Sequence, residues 1–178
     1  GLYESMGRYA EAEPLFQRAL NIKEAQLGSE HPSTAISLTS LAILYLSMGR
    51  YAEAEPLFQR ALTINEAQLG SGHPETARGL NNLAWLYQAM GRYADAEAFI
   101  QQALDIREAQ LGPQHLDTAS SLNNLAVLYL SLDRYAEAEP LFQRALDISE
   151  AQLGSEHPDT ARSLNNLAEL YRSMGRYS

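Results

Sequence analysis

The sequence predicts an all-α fold: an α-solenoid (superhelix) of antiparallel helix A/helix B hairpins with a 42-residue period. Three observations carry this expectation. The stretch MGRYAEAEPLFQRAL stands at 6–20 and again, letter for letter, at 48–62, with close variants at 90–104 and 132–146. The starts at 6, 48, 90, 132 and 174 are separated by a constant step of 42. A fixed period of this size marks stacked units, each touching only its neighbours. Within every period, apolar residues recur twice at helical spacing, and each apolar run but one ends near a glycine.

Taken in order, residues 1–28 form a partial unit, mainly helix B, and 32–70, 74–112 and 116–154 form whole units. Residues 158–178 supply helix A only, and all belong to one array over 1–178. Within residues 1–8, LYESMG reads as the tail of a helix A. Helix A is clearest in 73–93, where Leu80, Leu83, Ala84 and Tyr87 lie at i, i+3, i+4 and i+7 on one face. Pro74 and Thr76 or Glu75 suit its start, and Gly91 suits a left-handed stop. Asp133 takes that place once, a residue that enters the left-handed region more readily than most. Helix B is expected from Tyr51 to about Leu69, with Ala54, Leu57, Phe58, Ala61 and Ile64 as its apolar face. Pro14, Pro56 and Pro140 fall early in it, where a lost amide costs less than in mid-helix. All ten tyrosines fall in two repeating columns, 3/45/87/129/171 and 9/51/93/135/177, and read as packing residues.

The net charge of −9 argues against nucleic acid or an anionic membrane as partner. No apolar run approaches the ~18 residues of a membrane span, and no leader segment is visible. The absence of cysteine excludes disulfides and thiolate metal sites and fits a cytoplasmic location.

The recurring pattern LNNLAxLYxxMGRYAEAEPLFxRAL resembles the tetratricopeptide repeat. The 42-residue step, the AEPLFQRALDI helix and the LGSEHPDTA loop are similar to the lengthened repeats of kinesin light chains and of bacterial tandem arrays. That resemblance covers the whole chain and implies protein–protein binding through a concave groove lined by helices A. It does not imply which partner is bound.

Comparing the units with one another separates scaffold from candidate site. Opposite the apolar face of helix A lie Arg78, Asn82, Trp85 and Ala89, flanked by Asn81 and Gln88. Ile36, Ser40, Ile43 and Ser47, beside Thr39 and Leu46, are their equivalents one unit earlier. Ser120, Asn124, Val127 and Ser131, beside Asn123 and Leu130, follow one unit later, then Arg162, Asn166, Glu169 and Ser173, beside Asn165 and Arg172. One column varies as Ile43, Trp85, Val127 and Glu169, while another keeps an amide at Asn82, Asn124 and Asn166. The family resemblance implies that such asparagines hydrogen-bond the main chain of a bound peptide. An amide both donates and accepts, so a ladder of them suits an extended segment. The same amides also fit a second reading, in which they tie neighbouring units together. Trp85, the one tryptophan, is a candidate anchor. These columns hold Arg78, Arg162 and Arg172 against Glu169, a net of +2 that favours a ligand with some acidic groups. Glu11, Glu13, Glu53, Glu55, Glu137 and Glu139 on helix B read as a solvated outer face.

No catalyst, cofactor or metal site is legible. His31, His73, His115 and His157 recur once per unit, too far apart to share a zinc ion, and read as loop-closing residues. The segment GSGHPE at 70–75 follows a helix rather than a strand and lacks the third glycine of a nucleotide fingerprint. The expectation is therefore a non-enzymatic scaffold for a peptide or protein ligand. The alternatives are a self-assembling structural array and a regulatory or sensor segment of a larger multidomain protein. Self-association through exposed terminal helices is a further expectation.

Overall fold

The computed structural model describes the backbone of residues 2–175 and the side chains of residues 8–175. Among the described residues there are eight α-helices and no strand. They are α1 (Leu2–Leu27), α2 (Pro32–Ser47), α3 (Tyr51–Leu69), α4 (Pro74–Ala89), α5 (Tyr93–Leu111), α6 (Leu116–Ser131), α7 (Tyr135–Leu153) and α8 (Pro158–Ser173). Two compact units divide them, Gly1–Arg92 with α1 to α4 and Tyr93–Ser178 with α5 to α8. In the first, each helix packs on the next, α1 on α2, α2 on α3 and α3 on α4. In the second, α5 packs on α6, α6 on α7 and α7 on α8, and α6 also touches α8. The expected A helices are α2, α4, α6 and α8; the B helices are α1, α3, α5 and α7.

The start of every A helix is built alike. The His Nδ1 accepts a hydrogen bond from the backbone N–H two residues on, at 3.1 Å, in His31, His73, His115 and His157. Proline at the first position of α2, α4 and α8 lacks an N–H that would have no helical partner there. Thr34, Thr76, Thr118 and Thr160 donate their hydroxyls to the carbonyls of Gly28, Gly70, Gly112 and Gly154 at 2.8–2.9 Å. The recurring histidines thus cap helices, as the loop-closing reading anticipated.

Helix A ends in a reciprocal pair of backbone bonds. Arg50 N–H donates to Tyr45 O at 2.8 Å and Gly49 N–H to Leu46 O at 3.0 Å, the 6→1 and 5→2 bonds of a left-handed stop. Gly91 and Asp133 occupy the same position, with φ of 74° and 57°. This turn lays each arginine over the tyrosine that accepts its backbone bond. The guanidinium carbon lies 4.0–4.2 Å from the ring centroid in Arg50/Tyr45, Arg92/Tyr87 and Arg134/Tyr129.

Both groups of this pair then grip the B helix of the preceding repeat. Tyr45, Tyr87 and Tyr129 donate to Glu13, Glu55 and Glu97 at 2.8–3.0 Å. The arginines reach the same carboxylates, Arg50 to Glu13 and Arg134 to Glu97 at 2.7 Å and Arg92 to Glu55 at 3.3 Å. The expectation that Glu13 and Glu55 belong to a solvated outer face is therefore corrected: they join helix B to the next helix A. Glu53 and Glu137 pair with Arg50 and Arg134 within their own turns, so they too are engaged. Arg176, which would complete a fourth such set, lies outside the described residues. Further links run between B helices, Arg60 to Glu24 and Arg144 to Glu108 at 2.7 Å.

Other expectations need adjusting. The tail of a helix A at LYESMG does not form separately, because α1 continues through Gly7 as one helix of 26 residues. A glycine inside a helix costs only about 1 kcal/mol. Five residues folded back before Gly7 would bury little in return, whereas continuing the helix satisfies their backbone groups. Pro14 consequently lies in mid-helix, whereas Pro56 and Pro140 are the sixth residues of α3 and α7, early in the helix as expected. The tyrosine columns also divide. Tyr45 and Tyr87 are buried and Tyr51 and Tyr135 half-buried, but Tyr93, the first residue of α5, is exposed. Tyr3 and Tyr177 lie outside the described side chains. Of the helix B face, Ala54, Phe58, Ala61 and Ile64 are buried and Leu57 is half-buried.

The Tyr–Glu–Arg sets give a pH dependence. Bonding to arginine holds the Glu13, Glu53, Glu97 and Glu137 carboxyls below the usual range, against the opposing effect of partial burial. Burial, with the bond to Glu97, pushes the Tyr129 phenol up to about 12. A depressed carboxylate stabilises the fold above its unfolded pKa and loses that contribution as pH falls through its folded value. A raised phenol contributes below its unfolded pKa of about 10 and loses that as pH rises through its folded value. Chemical denaturation followed by circular dichroism should therefore give a flat midpoint near neutrality. The midpoint should fall below about pH 4 and again above about pH 10, with Tyr129→Phe flattening the alkaline limb. In the same assay, His157→Ala should cost about 1 kcal/mol through the lost cap, and His157→Asn should recover much of it.

Candidate functional site

The caps, turns and junctions above leave each A helix one face with no B helix upon it. In α2 this open face carries Ile36 and Ile43, and in α4 it carries Arg78, Trp85 and Ala89. In α6 it carries Asn124 and Val127, and in α8 Arg162, Asn165, Glu169 and Ser173. All but the half-buried Glu169 are exposed, Trp85 at 49%. Asn81, Asn82 and Gln88 on α4, Asn123 on α6 and Asn166 on α8 are half-buried at its margin. Every residue expected at the site therefore lies on this face or its edge. The residue flanking it on α2, Leu46, is instead buried, because its side chain turns into the core.

The polar groups of the face differ in how free they are. Ser40, Ser47 and Ser120 return their hydroxyls to carbonyls of their own helix at 2.9–3.0 Å, as does Ser131 at 2.7 Å. Asn81 donates to Ala77 O at 3.0 Å. Asn82 has no hydrogen-bond partner among the described residues, so its amide is left for water or a ligand. In the second unit Asn166 Nδ2 lies 3.5 Å from Asn123 Oδ1, which bridges α8 and α6. The reading in which these amides tie neighbouring units together is met at Asn166. The signal for the bridge is that its members belong to adjacent columns.

The arginines of the face are neutralised locally. Arg78 pairs with Glu75, Arg162 with Asp159 at 3.1 Å and Arg172 with Glu169 at 2.5 Å. The net of +2 counted on six columns leaves out the first-turn acids Glu75 and Asp159 and is cancelled by them, so the basis for an acidic ligand falls away. A recess of about 60 Å³ opens on the second unit beside Ser120, Asn123 and Arg162.

Apolar groups dominate the first unit's face, with Ile36, Ile43 and Trp85, whereas the second carries amides and paired charges. Among the described residues no cluster of three histidines or acids could hold a metal, and no helix is long and apolar enough to cross a membrane.

Comparison with known proteins gives a consistent result. A family profile described as tetratricopeptide repeat matches residues 1–67, 41–109, 86–151 and 117–178. A search of curated proteins finds no match. Among solved structures, BtubC (BKLC) from P. vanneervenii is similar with a TM-score of 0.81 and 29% identity, over 98% of this chain and 70% of that one. A putative kinesin light chain from Podosopora anserina, with nearly identical TPR-like repeats, is similar at 0.80 and 30% identity, over 98% and 82%. The apo form of RapI, at 21% identity and a TM-score of 0.77 over 99% and 47%, shares the fold.

Proposed function

Because this chain belongs to the tetratricopeptide repeat family, whose repeats mediate protein–protein interaction as a class, we propose that it binds a segment of another protein along the open faces of its A helices. The observation that carries this reading is the coincidence of variation and exposure. Columns that pack against a neighbouring helix scarcely change between units, whereas the open column runs Ile43, Trp85, Val127, Glu169. Variation with retained apolar exposure on one face supports recognition rather than support. In the first unit, Ile36, Ile43 and Trp85 form an apolar anchor site, with Asn82 beside them to meet a peptide main chain. In the second, Asn124, Val127, Asn165 and Glu169 make a more polar contact. Arg78 lies on the first face with Asn81 and Gln88 at its margin, and Asn123 and Asn166 line the margin of the second. The role is that of a non-catalytic scaffold in a cytoplasmic setting, with no cofactor called for.

Peptide display against the chain and its Trp85→Ala form, followed by calorimetry on an enriched peptide, tests this reading. Trp85→Ala should weaken binding by about 2 kcal/mol, roughly thirtyfold, with the helical content intact. Asn82→Ala should weaken it less. Glu66→Ala, on the exposed surface of α3, should leave affinity unchanged; Glu55 is unsuitable as a control because it joins α3 to α4. Equal losses from Trp85 and Glu66, or none from Trp85, would overturn the assignment.

A further inference from the structure

The recess of the second unit lies where α6, the end of α7 and the start of α8 meet. Two of the side chains that line it are shorter than their counterparts in other repeats. Ser120 stands in the column of Ile36 and Arg78, and the buried Ser149 in that of Asn65 and Arg107. In the earlier repeats the second column reaches across to the next A helix. Asn65 Nδ2 lies 3.5 Å from Glu75 O, and Arg107 Nη1 donates to Asp117 O and Ser121 Oγ at 2.9 Å. Ser149 instead donates to Ala145 O of its own helix at 2.9 Å and stops 3.4 Å from Ser163 Oγ.

The groups around the recess are polar but carry no net charge. Asp159 is paired with Arg162 at 3.1 Å, the same i,i+3 pairing that Glu75 and Arg78 make in the first unit. Asn123 accepts from Asn166 through Oδ1 at 3.5 Å, and its Nδ2 has no partner among the described residues. Ser120 donates its hydroxyl to Leu116 O at 3.0 Å, so its oxygen is left as an acceptor. A charged guest would lose hydration here without meeting an opposite net charge. A wholly apolar guest would strip water from Asn123, Asp159 and Arg162 and return no hydrogen bond. The size, about 60 Å³, is well below the roughly 150 Å³ of a cavity that holds benzene, so a ring is too large. A carboxamide is small and neutral, and it carries both N–H donors and a carbonyl acceptor.

We propose that this recess is a subsite for a carboxamide side chain, glutamine or asparagine, of the bound segment. Its N–H groups meet Asp159 and the Ser120 oxygen, and its carbonyl accepts from Asn123 Nδ2 or Arg162. The subsite rests on the reading that the A helices bind a protein segment, and it names what the second unit selects.

Random peptide display against the parent chain, Ser149→Arg and Ser120→Ile tests it. Ser149→Arg fills the recess with the Arg107/Ser121 arrangement this fold already holds, and Ser120→Ile narrows it with the residue found at Ile36. Circular dichroism checks that both variants fold. Peptides enriched on the parent should share one position held as glutamine or asparagine. That preference should vanish on both variants, while the dependence on Trp85 persists. In calorimetry on an enriched peptide, exchanging the amide for the matching acid or for leucine should weaken binding to the parent about tenfold. The same exchange should leave binding to either variant unchanged. Enrichment that needs Trp85 but shows no amide, or prefers an acid there, would overturn the subsite and leave the groove reading standing. An amide exchange that costs the parent and both variants equally would overturn it too. Enrichment indifferent to Trp85→Ala would overturn the groove reading and the subsite together.

Discussion

An A helix in this chain must be covered on two sides at once, and a single hairpin covers only one of them. α2 is held between α1 and α3, and α6 between α5 and α7. Half of every core is thus supplied by the neighbouring repeat, which is the condition under which repeat arrays fold as coupled units rather than as independent hairpins. The junction from a B helix to the next A helix is where that coupling is enforced. Alanines at Ala35, Ala77 and Ala119 are buried on the A helices, and the Tyr–Glu–Arg set closes the margin with bonds that need all three groups in place.

That set ties local geometry to tertiary order. A left-handed stop puts the arginine over the tyrosine within one turn, and the pair then recognises a carboxylate 32 residues before the tyrosine. Exposed ion pairs generally contribute little. These differ because one glutamate is shared by a phenol, which is buried at Tyr45 and Tyr87, and by a guanidinium fixed by ring stacking. With two sides of the A helix committed in this way, its third side is free to vary without cost to the fold, and the open face inherits that freedom.

The fold was legible because it is written four times. Helix order, both loop types and most core columns follow from the 42-residue step, and each glycine or histidine could be checked against its copies. What escaped was tertiary pairing of charge. Glu13 and Glu11 look alike in AEAEP, yet only the former faces the next A helix. A clue was present: the divergent third unit changes the equivalents of Glu53 and Pro56 to Asp95 and Ala98 but keeps Glu97. The continuity of α1 was illegible for another reason. Met-Gly-Arg stops a helix only where a folded-back segment buries enough surface, and no local sequence encodes that. On the candidate face, the variable column picked out by periodicity is exposed at Ile43, Trp85 and Val127, but pairing of Arg78 and Arg162 with first-turn acids required counting outside the face.

The dependence of each repeat on its neighbour is the centre of this account, and amide hydrogen exchange read by mass spectrometry tests it directly. Leu125 is buried at the middle of α6, and Leu125→Ala should cost about 2–5 kcal/mol by leaving a cavity. If the repeats are coupled, protection will fall together in α5, α6 and α7, with the outer turns of α5 following α6 rather than staying intact. Loss confined to α6, with α5 and α7 exchanging as in the parent, would contradict the account.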